Sequence, residues 1–170
     1  MGFNFDNELF QDPDIRRAVC MAIDVDSAIA ATFRNDANVD IAVRAYGPIP
    51  LEFVGADEEA WKKVTPAYDP EGAKALIESK GYTLNANGIY EKDGQELTFT
   101  LKSANYDPNM KFGIIVSTEL KKIGINCVSQ PTEWATLLSD LKAGNKEAFI
   151  MGGGSTLTGM NSLFHSVKSK

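Results

Sequence analysis

The sequence predicts an α/β protein, with a mixed β-sheet flanked by helices and one β-hairpin. Strand-like apolar runs alternate with amphipathic helical stripes from Leu97 to Met151, in the order strand, helix, strand, helix, strand. Such alternation is typical of a sheet whose parallel strands are joined by right-handed helical crossovers. The turn pair Asp93-Gly94 between two β-like runs predicts the hairpin.

Three helix starts carry the same pair of residues, Asp12-Pro13, Asp69-Pro70 and Asp107-Pro108. An Asp side chain caps the unpaired N–H groups of the first turn, and a Pro at the first helical position loses no donor that the helix needs. Apolar residues recur at helical spacing after each pair. The first helix is expected to end near Asp24, and Asp26 is expected to cap a further short helix.

The remaining elements follow from the same patterns, with one long exception. From Ala42 to Thr65 the chain has no regular period, so this segment is expected to be a long loop. The other expected elements are a helix from Asp69 to about Lys80, hairpin strands at Ile89–Lys92 and Leu97–Leu101, a helix ending before Gly124, a strand over Ile125–Gln130, a helix over Trp134–Leu141 closed by Gly144, and a strand over Ala148–Met151.

Length and composition indicate one globular domain over residues 1–170. The chain is 44% hydrophobic and 24% charged, which is an ordinary globular composition. Its net charge of −6 and pI of about 4.8 argue against nucleic acid as a partner. No apolar run reaches the roughly 18 residues that indicate a membrane span.

The two cysteines and the single histidine form no recognisable reactive or metal-binding motif. Cys20 and Cys127 lie far apart and lack a Cys or His neighbour at metal-ligand spacing, so both are expected to pack as small apolar residues. Ser155 follows a glycine but lacks the Gly-x-Ser-x-Gly pattern of hydrolases. We therefore predict no enzyme activity, no cofactor and no side-chain metal site. The alternative within catalysis is a small hydrolase that uses Ser155 and His165.

The segment after the last predicted strand is the first candidate binding site. Gly152, Gly153 and Gly154 follow an apolar strand, and Ser155 and Thr156 come next. Glycine lets backbone N–H and C=O groups approach another molecule without an intervening Cβ. A neutral pocket of backbone and hydroxyl groups is one interpretation, and a glycine turn without a ligand is the other.

Five segments in a fixed order carry a resemblance to one family. They are FQDPDIRRAVCMAID at 10–24, AYGPIP at 45–50, PAYDPEGAKALIESKGY at 66–82, LKKIGINC at 120–127 and TEWATLLSDLKAG at 132–144. The set resembles the solute-binding proteins of peptide, nickel and oligopeptide ABC importers, known as extracellular solute-binding protein family 5.

The resemblance implies a two-lobed protein with a hinge, of the type II periplasmic-binding-protein-like fold. This chain resembles only the middle of the second lobe, so we expect it to be an excised lobe fragment. The implied function is capture of a peptide or similar small polar solute, a nickel chelate among the open possibilities. The implied partners are the missing lobe and an ABC permease. The implied location is the periplasm or, for a lipid-anchored protein, the outer face of the cell membrane.

The resemblance also assigns roles around the glycine segment, with two departures. Peptide-binding relatives place a Trp and then an Asp there, and the Asp pairs with the α-amino group of the ligand. In this sequence Gly153 stands at the Trp position and Thr156 at the Asp position. A hydroxyl cannot neutralise an ammonium, so the resemblance does not extend to gripping a peptide N-terminus at this point.

Four further residues are candidate ligand contacts. Trp134 matches an aromatic that often lies near the cleft in this family, although a first-turn residue packed on the core is the alternative. Asn105 and Tyr106 follow a predicted strand, where open α/β sheets bind ligands, but they also suit a cap and turn. Tyr46, with Arg44, lies in the loop that resembles the cleft loop of the family. A ligand-sensing domain without a transport role remains the third functional alternative.

Overall fold

A computed structural model describes residues 1–34, 39, 41–47, 49–53 and 55–152. The described chain divides into two compact units. The larger unit comprises the described residues of 1–42 and 66–151, and the smaller one comprises those of 43–65 together with Gly152. Each unit is described by itself below.

The helices follow the chain order α1 to α6. They are α1 Pro13–Met21, α2 Val25–Phe33, α3 Glu58–Val64, α4 Pro70–Ser79, α5 Asn109–Lys122 and α6 Trp134–Ala143. A single 3-10 turn, Glu8–Phe10, precedes α1. None of the helices in the described ranges is both long and apolar enough to cross a membrane.

Two sheets are present among the described residues. The strands are β1 Gly2–Phe3, β2 Thr83–Leu84, β3 Tyr90–Lys92, β4 Gln95–Glu96, β5 Thr98–Ala104, β6 Asn126–Thr132 and β7 Ala148–Ile150. The larger sheet has the order β1-β7-β5-β6, and the smaller one has the order β2-β3-β4. In the larger sheet β5 is parallel to both β6 and β7, whereas β1 is antiparallel to β7. The predicted alternation of strands and helices is confirmed.

Helices α5 and α6 cover opposite faces of the larger sheet. The contacts of two neighbouring residues of β5 show this. Ser103 of β5 lies beneath Gly113 of α5, whose ideal Cβ position is 3.3 Å from the Ser103 hydroxyl. Lys102, the adjacent residue, pairs with Asp140 of α6 instead. Successive side chains of a strand point to opposite faces, so the two crossovers lie on opposite sides.

One apolar core joins α1, α4, α5 and the larger sheet. Its largest fully buried side chains are Phe10, Ile15, Ile77, Tyr90, Phe99, Leu101, Leu120 and Ile125. The Phe10 ring packs edge-on against Phe99, with 5.0 Å between ring centroids, and in a tilted arrangement against Phe3, with 4.8 Å between centroids. This stack attaches the N-terminal segment to the central strand, so the segment is part of the core rather than a free tail.

Two of the three Asp-Pro pairs cap helices as predicted, and one does not. Asp12 accepts a hydrogen bond from the Asp14 N–H and Asp69 accepts one from Gly72. The prediction for Asp107 is wrong, because α5 begins only after Pro108 and no side chain of the described residues caps it. Asp107 pairs instead with Lys111, 3.1 Å away.

The predicted N-cap of the second helix is wrong by two residues. Asp24, and not Asp26, is the N-cap of α2, since its carboxylate accepts a hydrogen bond from the Ser27 N–H at 3.0 Å. The Glu119 carboxylate accepts a hydrogen bond from the Asp24 N–H at 2.7 Å. This bond from α5 holds the cap of α2 on the larger unit.

The hairpin and the long loop also differ from the sequence prediction. β3 pairs with the short β4 across the Asp93-Gly94 turn, whereas the run Leu97–Leu101 mostly joins the larger sheet as β5. Both turn residues have positive φ, as a two-residue hairpin turn requires. The expected loop from Ala42 to Thr65 contains helix α3, which has no buried residue and so leaves no apolar period in the sequence.

Both cysteines are free thiols, as expected for small packed residues. Cys127 is buried in the core, and burial raises the pKa of its thiol to about 12. Burial likewise raises the pKa of Cys20. Neither thiol is therefore readily ionised at neutral pH, which fits packing roles.

The contact at Gly113 gives a test of the helix-to-sheet packing. Its ideal Cβ would lie 3.1 Å from the Ser129 hydroxyl and 3.3 Å from that of Ser103, so a large side chain has no room. We expect Gly113→Leu to lower the free energy of unfolding by about 1–3 kcal/mol through overpacking. Urea unfolding followed by circular dichroism measures this.

The control is Thr118→Leu, at an exposed position of the same helix. It is expected to stay within about 0.5 kcal/mol of the parent, since surface changes usually do. Equal stability of the two variants would contradict the close approach of α5 to the sheet.

Candidate functional site

The carboxyl ends of β5, β6 and β7 meet at one edge of the larger sheet, here named the carboxyl edge. Ala104, the last residue of β5, pairs in register with Thr132, the last residue of β6. The pairing continues one step further, because the Asn105 N–H donates to the Thr132 carbonyl at 3.0 Å. Asn105 and Tyr106 therefore follow β5 at the edge where Trp134 follows β6.

The structure brings two of the sequence-predicted residues into contact at this edge. The rings of Tyr106 and Trp134 lie 6.5 Å apart between centroids, at an interplanar angle of 60°. The two residues are 49% and 39% exposed, so neither belongs to the core. Such an exposed aromatic pair offers flat apolar surface and two polar groups, the Tyr hydroxyl and the Trp N–H. Its contact with a ligand remains a prediction.

The loop that carries Tyr106 is held by its own bonds to the start of α5. The Tyr106 carbonyl accepts a hydrogen bond from the Met110 N–H at 3.1 Å. The Asp107–Lys111 ion pair joins the same two segments at 3.1 Å. Tyr106 is thus held by the β5–α5 connection, and its ring also contacts Trp134 of α6.

A carboxylate that the sequence analysis did not single out lies beside Trp134. Glu133 is the N-cap of α6 and accepts a hydrogen bond from the Thr136 N–H at 3.0 Å. Hydrogen bonds from the Ala135 and Thr136 N–H groups lower the pKa of Glu133. Its negative charge at the carboxyl edge was detectable in the sequence as a Glu directly before an apolar helical stripe.

The glycine segment is described only at its beginning. Met151, directly after β7, is 45% exposed, and a Cβ on Gly152 would meet no atom within 4 Å. The backbone of Gly152 is therefore open on its Cα side. Gly153, Gly154, Ser155, Thr156 and His165 lie outside the described residues, so the predictions made for them stay predictions.

Tyr46 lies in the smaller unit and contacts residues of that unit. The Arg44 guanidinium lies 4.7 Å from the centroid of its ring, and the Lys62 ammonium lies 5.4 Å from it. Trp61 packs against the backbone of Gly47, where a Cβ would be 2.0 Å from the indole ring. The role of Tyr46 as a ligand contact is not tested by this packing.

A cluster of three residues ties α6 to β5 on the face opposite α5, and is here named the Lys102 cluster. The Lys102 ammonium, on a residue 9% exposed, donates to Asp140 Oδ2 at 2.7 Å and to the Asn145 carbonyl at 2.8 Å. Asn145 Nδ2 donates to Asp140 Oδ1 at 3.2 Å. The hydrogen bond from Lys102 is the largest cause that lowers the pKa of Asp140. These bonds connect the central strand, the helix and the turn after it.

The turn before β7 is fixed by a second polar residue. Glu147 accepts hydrogen bonds from the Thr100 N–H at 2.7 Å and from Asn7 Nδ2 at 3.0 Å. Its carbonyl accepts another from the Asn4 N–H at 2.8 Å. Because of these bonds, Glu147 helps set the register of β7 on β5, and with it where the glycine segment begins.

A surface cleft of about 450 Å³ lies beside this turn. It is lined by Thr100, Lys102, Gln130 and residues 144–147.

The described residues contain no group of three or more His, Cys, Asp or Glu side chains that could hold a metal ion. A site of that kind would need several such ligands at short distance. What the carboxyl edge offers instead is a pair of aromatic rings and an exposed carboxylate. Those groups support non-covalent binding of a small molecule.

Comparison with known proteins gives the same fold over the whole chain. The family model described as "Bacterial extracellular solute-binding proteins, family 5 Middle" matches residues 1–170. The oligopeptide-binding protein AppA of Bacillus subtilis (strain 168) is 31% identical over 176 residues, covering 100% of this chain and 31% of the relative. The di/tripeptide-binding protein 2 of Pseudomonas aeruginosa (strain UCBPP-PA14) is 26% identical, covering 86% and 25%.

Solved structures agree with this assignment of the fold. AppA in complex with a nonapeptide superposes with a TM-score of 0.78 and 27% identity, over 99% of this chain and 33% of that one. NikZ of Campylobacter jejuni in complex with Ni(L-His) gives 0.79 and 27%, over 98% and 32%. The chain thus spans about a third of these relatives. The predicted periplasmic-binding-protein lobe and the family resemblance are confirmed.

The Lys102–Asp140 pair predicts a loss of stability in acid. A folded-state pKa of Asp140 below its ordinary value of 3.8 means that the unfolded chain binds this proton more tightly. The contribution of the pair is therefore fully present above that ordinary value and is lost as the pH falls through the lowered pKa. We expect Asp140→Asn to lower the urea midpoint at neutral pH and the difference from the parent to close in acid.

The control for this titration is Glu59→Gln. Glu59 pairs with Lys62 at 3.0 Å but its side chain is 76% exposed, and such surface pairs contribute little. Its urea midpoint is expected to follow that of the parent at every pH. A difference between parent and Asp140→Asn that stays constant down to about pH 2 would refute the titration of Asp140 as its cause.

Proposed function

This chain belongs to the bacterial extracellular solute-binding proteins of family 5, and we propose that it forms part of the second lobe of the substrate-binding component of an ABC importer. In this proposal the whole protein captures a peptide or a similar small polar solute outside the membrane and presents it to the permease. The match of the family model over residues 1–170 carries the proposal. The family is extracellular; attachment through a lipid or residence in the periplasm is part of the proposal.

Relatives favour a peptide as the solute class. The curated relatives are named for binding oligopeptides and di- or tripeptides, and one solved neighbour holds a nonapeptide. Another solved neighbour holds Ni(L-His), which is also a small polar solute. These relatives are solute-binding proteins rather than enzymes, and we extend that character to this chain. No observation on the described residues favours the hydrolase that would use Ser155 and His165.

The carboxyl edge supplies the chemistry for such a role. Tyr106 and Trp134 present exposed rings that can pack against apolar or planar parts of a solute, and Asn105 adds an amide beside them. Gly152, two residues after the end of β7, has open backbone and remains a candidate contact in its own right. In an open α/β sheet, ligands bind outside the carboxyl ends of the strands, which supports this edge as one wall of a cleft.

One wall of a two-lobed cleft makes only part of the contacts that a solute needs. A site that buries most of its ligand requires the facing lobe, and closure of the lobes is a hinge motion. We therefore assign the missing lobe and the permease as partners of the whole protein. Gly153, Gly154, Ser155 and Thr156 remain proposed solute contacts, and they would offer neutral groups at Gly153 and Thr156, where peptide-binding relatives have Trp and Asp.

The first test compares the whole protein with this chain. Mass spectrometry of the solute that co-purifies with the full-length protein is expected to identify a peptide, and isothermal titration with that peptide is expected to give binding. The isolated 170-residue chain is expected to bind the same peptide at least about a hundredfold more weakly, because it supplies one wall alone. Micromolar binding by the isolated chain would contradict the proposal that it supplies only one wall of the cleft.

The second test addresses the aromatic pair in the full-length protein. Tyr106→Ala and Trp134→Ala are each expected to weaken binding of the co-purified peptide about tenfold, as expected for loss of roughly 1.4 kcal/mol of aromatic contact. Tyr68→Ala is the matched control, since Tyr68 is also 49% exposed but lies away from the carboxyl edge, beside α4. Unchanged affinity in both edge variants would remove the pair from the site.

A further inference from the structure

Apolar packing alone leaves the orientation of α6 weakly determined. Leu137 is the one fully buried residue among those described in α6, and Leu138 and Leu141 are half-buried. Helix α5, on the other face of the sheet, buries three residues and packs along two strands. A helix attached through a single buried side chain can roll about its axis at little cost, because ridges and grooves fix its angle only where several rows interlock.

The Lys102 cluster supplies the missing constraint. Its ammonium reaches both the helix, at Asp140 Oδ2, and the turn after the helix, at the Asn145 carbonyl. Two bonds from one nitrogen to two points of α6 and its C-terminal turn restrict rotation as well as distance. A cation close to the C-terminal end of a helix also interacts favourably with the helix dipole.

The backbone of Lys102 is held in the centre of the larger sheet, which fixes the starting point of its contact with α6. It lies on the central strand, paired with Gln130 of β6 on one side and with Phe149 of β7 on the other. Only 11% of its side-chain surface is exposed, so the loss of either partner would leave a partly desolvated charge, which favours the paired geometry. The strand therefore transmits a fixed position to the helix.

Helix α6 begins at Trp134, six residues before Asp140. At 1.5 Å per residue the two positions are about 9 Å apart along the axis, within one rigid helix. A roll of about 20° moves a side-chain tip on a helix of about 5–6 Å radius by about 2 Å. That shift is large against the contact between Trp134 and Tyr106, because the loop that carries Tyr106 is bonded to the start of α5.

We propose that Lys102 is a positioning residue, which through Asp140 and Asn145 sets the orientation of α6 and so the direction in which Trp134 faces at the carboxyl edge. Its effect on solute binding rests on the proposed function; its effect on Trp134 does not. Lys102 itself touches no ligand in this proposal. Its side chain reaches from β5 to α6 with 11% of its surface exposed.

The test uses fluorine NMR of protein labelled with 5-fluorotryptophan. The resonance that vanishes in Trp134→Phe belongs to Trp134, whatever other tryptophans the chain contains. Lys102→Met is expected to move this resonance and to increase its solvent isotope shift in D₂O, because the ring leaves its contact with Tyr106. Lys102→Arg, which keeps a cation within reach of Asp140, is expected to restore the parent signal.

Two further variants make the readout specific. Lys74→Met removes the same charge from a surface pair with Glu71, 2.8 Å apart, and is expected to leave the Trp134 signal unchanged. Asp140→Asn removes the other partner and is expected to move the signal as Lys102→Met does, so the test stands if Lys102→Met fails to fold. Circular dichroism confirms the folded state of each variant. A Trp134 signal that is identical in parent, Lys102→Met and Asp140→Asn would overturn the proposal.

Binding by the full-length protein separates this inference from the proposed function. Affinity for the co-purified peptide is expected to fall about tenfold in Lys102→Met and to return in Lys102→Arg. A moved Trp134 signal with unchanged affinity would support the positioning and remove Trp134 from the solute site. If the parent binds no peptide, the proposed function fails, and the fluorine signal alone still decides the role of Lys102.

Discussion

The structure depends on β5 being paired on both edges and covered on both faces. Its parallel registers with β6 and β7 bring three strand ends to one edge, and its alternating side chains assign one face to α5 and the other to α6. Ser103 and Lys102 are adjacent on this strand, but the space above their side chains differs. The Ser103 side leaves little room for a side chain at Gly113 of the helix above it, whereas the Lys102 side accommodates a long side chain and an ion pair. A strand held in this way cannot slip by one residue, because a slip would exchange the two faces.

That constraint explains which parts of the fold the sequence predicts. The apolar run of β5 and the stripes of α5 and α6 are visible because burial on two faces demands them. The two correct Asp-Pro caps are local features that need no tertiary contact. Asp107 fails as a cap because α5 begins only after Pro108, and its carboxylate pairs with Lys111, four residues further along the chain. Helix α3 is missed since it buries none of its residues, and the second hairpin strand is misplaced because the main sheet takes the longer run.

In the candidate site, too, the sequence predicts which residues follow the strands but not how exposed their side chains are. Asn105, Tyr106 and Trp134 are predictable as residues that follow strands, and the parallel register brings the two aromatic rings together. Their exposure is not predictable, since a first-turn Trp packed on the core has the same sequence. Glu133 was overlooked because a capping carboxylate looks structural, yet it adds charge to the same edge.

The ion pair beneath α6 illustrates why a buried charge can persist where an apolar residue would pack. Desolvation offsets much of the attraction between Lys102 and Asp140, so replacement of both residues by well-packed apolar side chains would cost little net free energy. An apolar contact, however, is non-directional, and with Leu137 as the main anchor it would leave several helix rolls nearly equal in energy. Hydrogen bonds from one ammonium to two fixed acceptors have a single geometry. The pair thus restricts the roll of α6 more than it adds to the free energy of unfolding. That restriction matters for α6 because the helix begins at the exposed ring of Trp134.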